Sequence, residues 1–188
     1  MPSLTTFFCC MARNNTWSNY RLLNACAGLT QQEFEAERTS FFPSIQLTLN
    51  HILVVDWYYL DALEAGGRGP SVFENQIPCV TIAELKSAQK AADTRLINYC
   101  DALSDTYLTN EVVLDRGGGV RQVDQVGRVL THLFVHQIHH RGQVHAMLSG
   151  TKCEPPQLDE FFLKNDVAFR AEDMLALGLS EEEINPVK

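Results

Sequence analysis

Apolar side chains recur every three or four residues along four long stretches of the chain, which is the spacing of amphipathic helices. The stripe is plainest in the third stretch, where Leu85, Ala88, Ala92 and Leu96 share one face. The second stretch is apolar at nearly every position. The predicted helices span about residues 11–28, 43–64, 81–103 and 124–149.

Turn-forming and capping residues separate these stretches. Thr30 and Thr81 each stand three residues before a glutamate, the pattern of a capping box that begins a helix. The first box predicts a further short helix, and the second begins the third long helix. The segment Gly66-Gly67-Arg68-Gly69-Pro70 predicts a break. Residues 104–123 combine β-forming residues with three glycines in a row, so a short strand and an irregular crossing segment fit them equally well.

Four helices of roughly 18–26 residues joined by loops predict an all-α fold, a four-helix bundle with long crossover connections. A chain of 188 residues fits a single domain, residues 1–188. We expect the bundle core at about residues 11–163 and a tail at 164–188 with one or two short C-terminal helices. Ser180, three residues before Glu183, is expected to cap the last of them.

The charge balance excludes several classes of partner. With 23 acidic and 15 basic residues, the formal net charge is −8, and no basic cluster exists to attract phosphates. We therefore expect no nucleic acid and no membrane as a partner. No apolar run approaches the ~20 residues of a membrane-spanning helix. The first apolar patch lacks a preceding basic residue, so a cytoplasmic location is expected. The six scattered cysteines are then expected to be small buried apolar residues in a reducing compartment.

Histidines carry the candidate chemistry, and five of the six lie between residues 132 and 145. His132, His136 and His140 advance only ~40° per step around a helix, so they line one face together with apolar residues. A buried imidazole needs a hydrogen-bond partner or a metal, and two histidines four residues apart can bind one ion. His51, on the apolar second helix, is a third candidate. The residues alone leave a three-histidine metal site and a set of structural core histidines equally open.

Four further sequence motifs occur along the chain, and their order and spacing are more specific than any one of them. They are Asn15-Thr-Trp17-Ser-Asn19-Tyr-Arg-Leu-Leu23, then Ser44-Ile-Gln-Leu-Thr-Leu-Asn-His51 followed by Asp56-Trp57, then His132-x3-His136-x3-His140-Arg141-Gly142-Gln143, and finally Pro155-Pro156-Gln-Leu158-Asp159. Together they resemble the DinB/YfiT-like superfamily of metal-binding four-helix bundles, over about residues 12–163.

The resemblance implies that the metal ligands are His51, His136 and His140. In the His139-His140 doublet it selects His140, in agreement with the four-residue spacing from His136. Three imidazoles leave at least one coordination position open, which favours catalysis or ligand binding over a closed structural site. Imidazole ligands suit several divalent ions, of which zinc or nickel is expected here.

Neighbouring residues are expected to support the site. We expect His132 to line the pocket or to lie behind a ligand, with a core histidine bonded to backbone or water as the alternative. Gln143 faces the site, where it bonds a histidine ring or makes an ordinary interhelical hydrogen bond. Asp56 lies behind the site or pairs with Arg141, for which a salt bridge between helices is expected. Gly142 is expected to let two helices approach closely.

The resemblance also bounds the function. Such proteins include thiol-dependent transferases and isomerases that use low-molecular-weight thiols, as well as stress-inducible proteins without an established reaction. The chain is therefore predicted to be a metal-dependent enzyme, either a thiol S-transferase or a hydrolase acting on a small molecule, or else a non-catalytic binder of metal or small ligand in a stress response. No catalytic residue can be assigned. Phe134 and Ile138 make the fourth helix apolar on the face opposite its histidines, so we expect a homodimer, or else the tail, to cover that face.

Overall fold

The computed structural model describes residues 3–184, and they are mostly helical. The helices are α1 (Leu4–Cys26), α2 (Gln31–Glu35), α3 (Ile45–Leu63), α4 (Ile82–Asp101), α5 (Val126–Leu148), α6 (Val167–Leu177) and α7 (Glu181–Ile184). The strands are β1 (Glu111–Asp115) and β2 (Arg121–Gln125), and short 3-10 turns lie at Gly69–Phe73, Tyr107–Thr109 and Lys164–Asp166. The predicted all-α class is confirmed, apart from this small two-stranded sheet.

Local capping residues determine where the helices begin. The capping boxes at Thr30 and Thr81 are both present, since each threonine accepts from the amide of the third helical residue and that glutamate accepts from the cap. The predicted start of the first helix at Met11 is wrong. α1 already begins at Leu4, because the Ser3 side chain accepts a hydrogen bond from the Thr6 amide and caps the helix there.

The segment left open between the third and fourth long helices forms an antiparallel β-hairpin. β1 pairs with β2 in a register that joins Glu111 to Gln125 and Asp115 to Arg121. Val112 and Leu114 point inward and are buried, as the alternation along β1 requires. Gly117, Gly118 and Gly119 all have positive φ, between 59° and 82°, which explains the glycine run at the turn.

The four long helices pack around one main hydrophobic core. α1 contacts α4 and α5, and α3 contacts the same two helices. A smaller second cluster joins the C-terminal segment to α1, and its members are Trp17, Phe161, Met174 and Ile184. The predicted short C-terminal helices are α6 and α7, and Ser180 caps α7, where its hydroxyl accepts from the Glu183 amide. Residues 185–188 of the predicted tail lie outside the described residues.

The surroundings of α5 correct the expectation for Gly142 and that for Phe134, while the homodimer stays a prediction. Phe134 is covered by Phe8 of α1, with ring centroids 6.3 Å apart, whereas Ile138 is 51% exposed. Gly142 does not mark a close helix approach, because a Cβ added there would meet no heavy atom within 4 Å. Instead it borders an open cleft.

The remaining composition-based expectations concern the cysteines and the membrane. All six cysteines lie among the described residues and are free thiols, four of them buried. Burial raises the pKa of the Cys26 thiol to about 12, which agrees with an unreactive packing role. Within residues 3–184, no helix has both the length and the apolarity needed to cross a membrane.

Candidate metal centre

Three histidines from two facing helices converge inside the fold. His51 lies two turns into α3, whose start is set by the Ser44 cap, and His136 and His140 are one turn apart on α5. Their ring centroids are 4.4–5.0 Å apart, and one ligand atom from each lies within 4.8 Å of the others. The structure thus brings together the three residues that the sequence analysis expected to be ligands, in a group that can hold a metal ion.

The side chain of Gln143 orients one of these rings. Its Oε1 accepts a hydrogen bond from His140 Nδ1 at 2.7 Å, which leaves the lone pair of His140 Nε2 free on the other side of the ring. Its Nε2 lies 3.2 Å from Nε2 of His139. The His139 ring lies beside that of His140, with centroids 4.8 Å apart, but it is not part of the group that can hold an ion. Gln143 makes the ring contact that was one of its two expected roles. Such an outer partner raises the basicity of a ligating imidazole and holds its tautomer.

Burial keeps the three rings in the form that binds metals. It lowers the pKa of His51 to about 4 and that of His136 to about 3, with further lowering from the neighbouring imidazoles. Burial also lowers the pKa of His140, although the hydrogen bond to Gln143 opposes it. All three imidazoles are therefore neutral at pH 7, with lone pairs available.

The polar contacts of the triad fit a shared cation. His51 Nε2 and His136 Nε2 are 3.0 Å apart, and His136 Nδ1 is buried with no hydrogen-bond partner among residues 3–184. The described polar contact of the His136 ring is thus another imidazole, which fits either an N–H···N hydrogen bond between neutral rings or one ion bound by both Nε2 atoms. Zinc bonds imidazole nitrogen at about 2.0–2.1 Å in tetrahedral sites, so nitrogens that share one ion lie about 3.3–3.5 Å apart. The 4.8 Å span exceeds that separation by about 1.4 Å, so the rings must move closer together when an ion binds.

An aromatic residue that the sequence analysis did not single out covers the triad. Phe42, just before the cap of α3, stacks on His51 with centroids 4.2 Å apart and a 30° interplanar angle. It also contacts His140, at 5.6 Å between centroids. No periodicity marks this residue, because it lies in a loop between helices. Its ring shields one side of the triad from water.

His132 lies one turn from His136, at the edge of a separate small cavity of about 190 Å³. Its ring contacts Tyr59 at 5.3 Å between centroids, and Arg116 and Arg128 line the same cavity. Of the roles expected for His132, the structure favours the pocket wall, since the ring is exposed and makes no hydrogen bond to residues 3–184.

Asp56 lies in a buried polar network behind the triad. Its carboxylate accepts hydrogen bonds from Gln137 Nε2 at 2.6 Å and from Gln89 Nε2 at 2.7 Å. Gln89 also donates to Asp93 Oδ1 at 3.0 Å. Burial, followed by repulsion from Asp93, raises the pKa of Asp56 to about 7. Asp56 thus accepts its described hydrogen bonds from side-chain amides and not from an imidazole.

Arg141 joins the same network from α5. Its Nη1 donates to Asn15 Oδ1 and, at 3.1 Å, to Asn19 Oδ1, and both asparagines donate to Asp93 Oδ1. The expected salt bridge is replaced by contacts through neutral amides, because Arg141 has no carboxylate within 4.0 Å among residues 3–184. Burial lowers its pKa to about 10, against the attraction of Asp93 and Asp56, so it stays charged at pH 7.

Comparison with known proteins places the chain in a family. The model of the DinB family matches residues 1–172, a span that includes all three histidines of the triad. A search of curated proteins finds no match. The resemblance carried by the four sequence motifs is confirmed by the family match, and this chain belongs to the DinB family.

Proposed function

We propose that this protein is a four-helix bundle that binds one divalent metal ion, zinc or nickel, through His51, His136 and His140. The observation that carries the proposal is the convergence of three neutral imidazoles from α3 and α5, with one ligand atom of each within 4.8 Å. Gln143, which holds the His140 ring, supports it. Membership of the DinB family points the same way.

The proposed role extends to metal-dependent chemistry on a small molecule. With three protein ligands, a bound ion keeps an open position at which it supplies Lewis acidity to a substrate or activates water or a thiol. Phe42 covers one side of the triad, where its ring contacts His51. A thiol-dependent S-transferase is the leading reaction class and a hydrolase the next. A non-catalytic metal- or ligand-binding stress protein is the alternative.

Metal stoichiometry tests the site. The full chain is stripped with a chelator, reconstituted with zinc or nickel, desalted and analysed for metal by mass spectrometry. We expect about one ion per chain, and we expect His136→Ala to lose it. His145→Ala is the matched control, because His145 is on the same helix but bonds the Pro156 carbonyl outside the triad. Stoichiometric binding by His136→Ala, or none by the wild type, would refute the ligand set.

Activity separates the enzyme from the binder. The metal-loaded protein is tested with several low-molecular-weight thiols against a set of electrophiles, and product is followed by mass spectrometry. A metal-dependent rate that His136→Ala abolishes and His145→Ala retains supports the transferase. If the loaded protein binds metal but conjugates none of the thiols and hydrolyses none of a set of small esters tested beside them, the non-catalytic alternative replaces the enzyme.

A further inference from the structure

A second cleft lies beside α5, apart from the histidine triad. It has a volume of about 480 Å³ and is bounded by α1, α5 and the segment at 157–162. Ligand pockets in proteins fall in the range of roughly 300–1,000 Å³. None of the three triad histidines lines this cleft, whereas Arg141 and Gly142, which directly follow His140, both do.

Three buried polar side chains line the cleft without a full set of partners. Asn14 is 8% exposed and Ser18 is 2% exposed, and neither side chain makes a hydrogen bond to residues 3–184. Arg141 is 4% exposed, and both of its described hydrogen bonds leave from Nη1. Its Nε and Nη2 thus have no acceptor among the described residues. Both nitrogens remain accessible, because neither is among the fully enclosed polar atoms that lack a partner. None of the unpaired atoms of these three side chains is fully enclosed, so solvent reaches them, and a polar ligand in the cleft would replace that water at three groups at once.

The rest of the lining sets the character of the ligand. Ile138, Leu158, Phe161 and Phe162 give the cleft apolar walls. Gly142 adds no side chain to the cleft, and a Cβ built there would have no neighbour within 4 Å, so the space beside it is empty. A guanidinium edge with a hydroxyl and an amide beside it matches a carboxylate, and the apolar walls match a hydrocarbon or aromatic body. Asp159, which is exposed in the lining, disfavours a second negative charge.

The geometry points to a binding site for a small monocarboxylate with an apolar or aromatic body, seated on Arg141 between α1 and α5. The bonds of Arg141 to Asn15 and Asn19 explain how the guanidinium is held, but they use one nitrogen and leave Asn14 and Ser18 unexplained. A purely structural role for Arg141 therefore does not explain why Asn14 and Ser18 lie in the cleft without hydrogen-bond partners in the described part of the chain. The site is independent of the proposed metal centre, because no triad residue contributes to it.

Calorimetric titration of the metal-free full chain tests this site without interference from the histidines. The probes are 3-phenylpropionate, its neutral amide 3-phenylpropionamide, and the dicarboxylate glutarate. We expect saturable binding of 3-phenylpropionate at one site, with the amide and glutarate at least ~10-fold weaker, because only the monocarboxylate combines one charge with an apolar body. No saturable binding of 3-phenylpropionate at millimolar concentration, or equal binding of the amide, overturns the proposal.

Variants locate the binding without disturbing the buried arginine. Gly142→Leu fills the cleft from a helical position with open space, so it should abolish binding while the protein stays folded by circular dichroism. Ala146→Leu, which adds the same bulk to α5 outside the cleft, should leave binding unchanged. Ser18→Ala should weaken binding several-fold and serves as the second variant if Gly142→Leu unfolds. Undiminished binding by Gly142→Leu or by Ser18→Ala contradicts the assignment.

Discussion

Replacing Asp93 by asparagine should change how the stability of the protein depends on pH. Asp93 is 3% exposed, and its Oδ1 accepts hydrogen bonds from Asn15, Asn19 and Gln89. Burial raises the pKa of this carboxyl from 3.8 to about 6, although its amide donors and Arg141 oppose the shift. The ionised form is thus disfavoured inside the protein compared with the unfolded chain.

The sign and size of the effect follow from this pKa. Between pH 3.8 and about 6 the native protein holds a proton on Asp93 that the unfolded chain has lost. The stability that this group contributes is therefore complete below pH 3.8 and is lost as the pH rises through 6. A shift of this size corresponds to about 3 kcal/mol. Asp93→Asn also removes the repulsion that raises the pKa of Asp56, so this pKa is lower in the variant. Asp56 then costs the variant less stability at neutral pH than it costs the wild type, which adds to the effect of Asp93.

Urea unfolding of the metal-free wild type and of Asp93→Asn between pH 4 and pH 7.5 measures this contribution. The free energy of unfolding of the variant minus that of the wild type should rise by about 3 kcal/mol across this range. The histidines titrate in both proteins, so their effects cancel in the difference. Glu172→Gln, which removes an exposed carboxylate, should run parallel to the wild type. Parallel profiles for Asp93→Asn as well would refute the reasoning.

Three further predictions concern the metal centre, a helix cap and the exposed face of α5. Gln143→Ala should weaken zinc affinity by about 10- to 100-fold in competition with a chromogenic chelator, because His140 loses the partner that orients its ring; unchanged affinity would contradict that role. Thr81→Ala should lower the free energy of unfolding by about 0.5–2 kcal/mol in urea, since the capping box of α4 is lost; a change below this range would show that the cap contributes little. Val135 is 61% exposed and does not line the cleft, so sedimentation should show a dimer that Val135→Lys dissociates; a monomeric wild type would remove the predicted homodimer.

The sequence predicted those features of the fold that depend on neighbouring residues. The start of α4 follows from Thr81, whose side chain caps the next turn of the chain. The expected start of α3 at residue 43 is two residues early, because Ser44 caps a helix that begins at Ile45. The same reasoning missed the start of α1, although Ser3 caps it and Leu4, Phe7, Phe8 and Met11 follow the spacing of an amphipathic helix. The hairpin stayed undecided because its two strands are five residues each and only their pairing stabilises them.

The candidate metal centre was also predicted only where it depends on residues that are close together in the sequence. His136 and His140 follow from helical spacing, but His51 is 85 positions away from His136, and periodicity says nothing about which faces of α3 and α5 meet. The family resemblance supplied that connection. The expected salt bridge of Arg141 was wrong, because its guanidinium donates to the side-chain amides of Asn15 and Asn19 and reaches no carboxylate of the described residues directly. Residue spacing along α5 cannot reveal that neutral side chains of α1 occupy this position.

The four consecutive residues 140–143 form one motif in the sequence but serve two places in the structure. A helix turns by about 100° per residue, so a run of four residues must point to different sides. His140 and Gln143 meet at the histidine triad, while Arg141 and Gly142 border the cleft against α1. A continuous motif is therefore poor evidence that all its members act on one ligand. The absence of shared lining residues indicates that metal binding and occupation of the cleft are separate properties, although the turn of α5 and the hydrogen-bond network from Arg141 to Asp56 connect the two places.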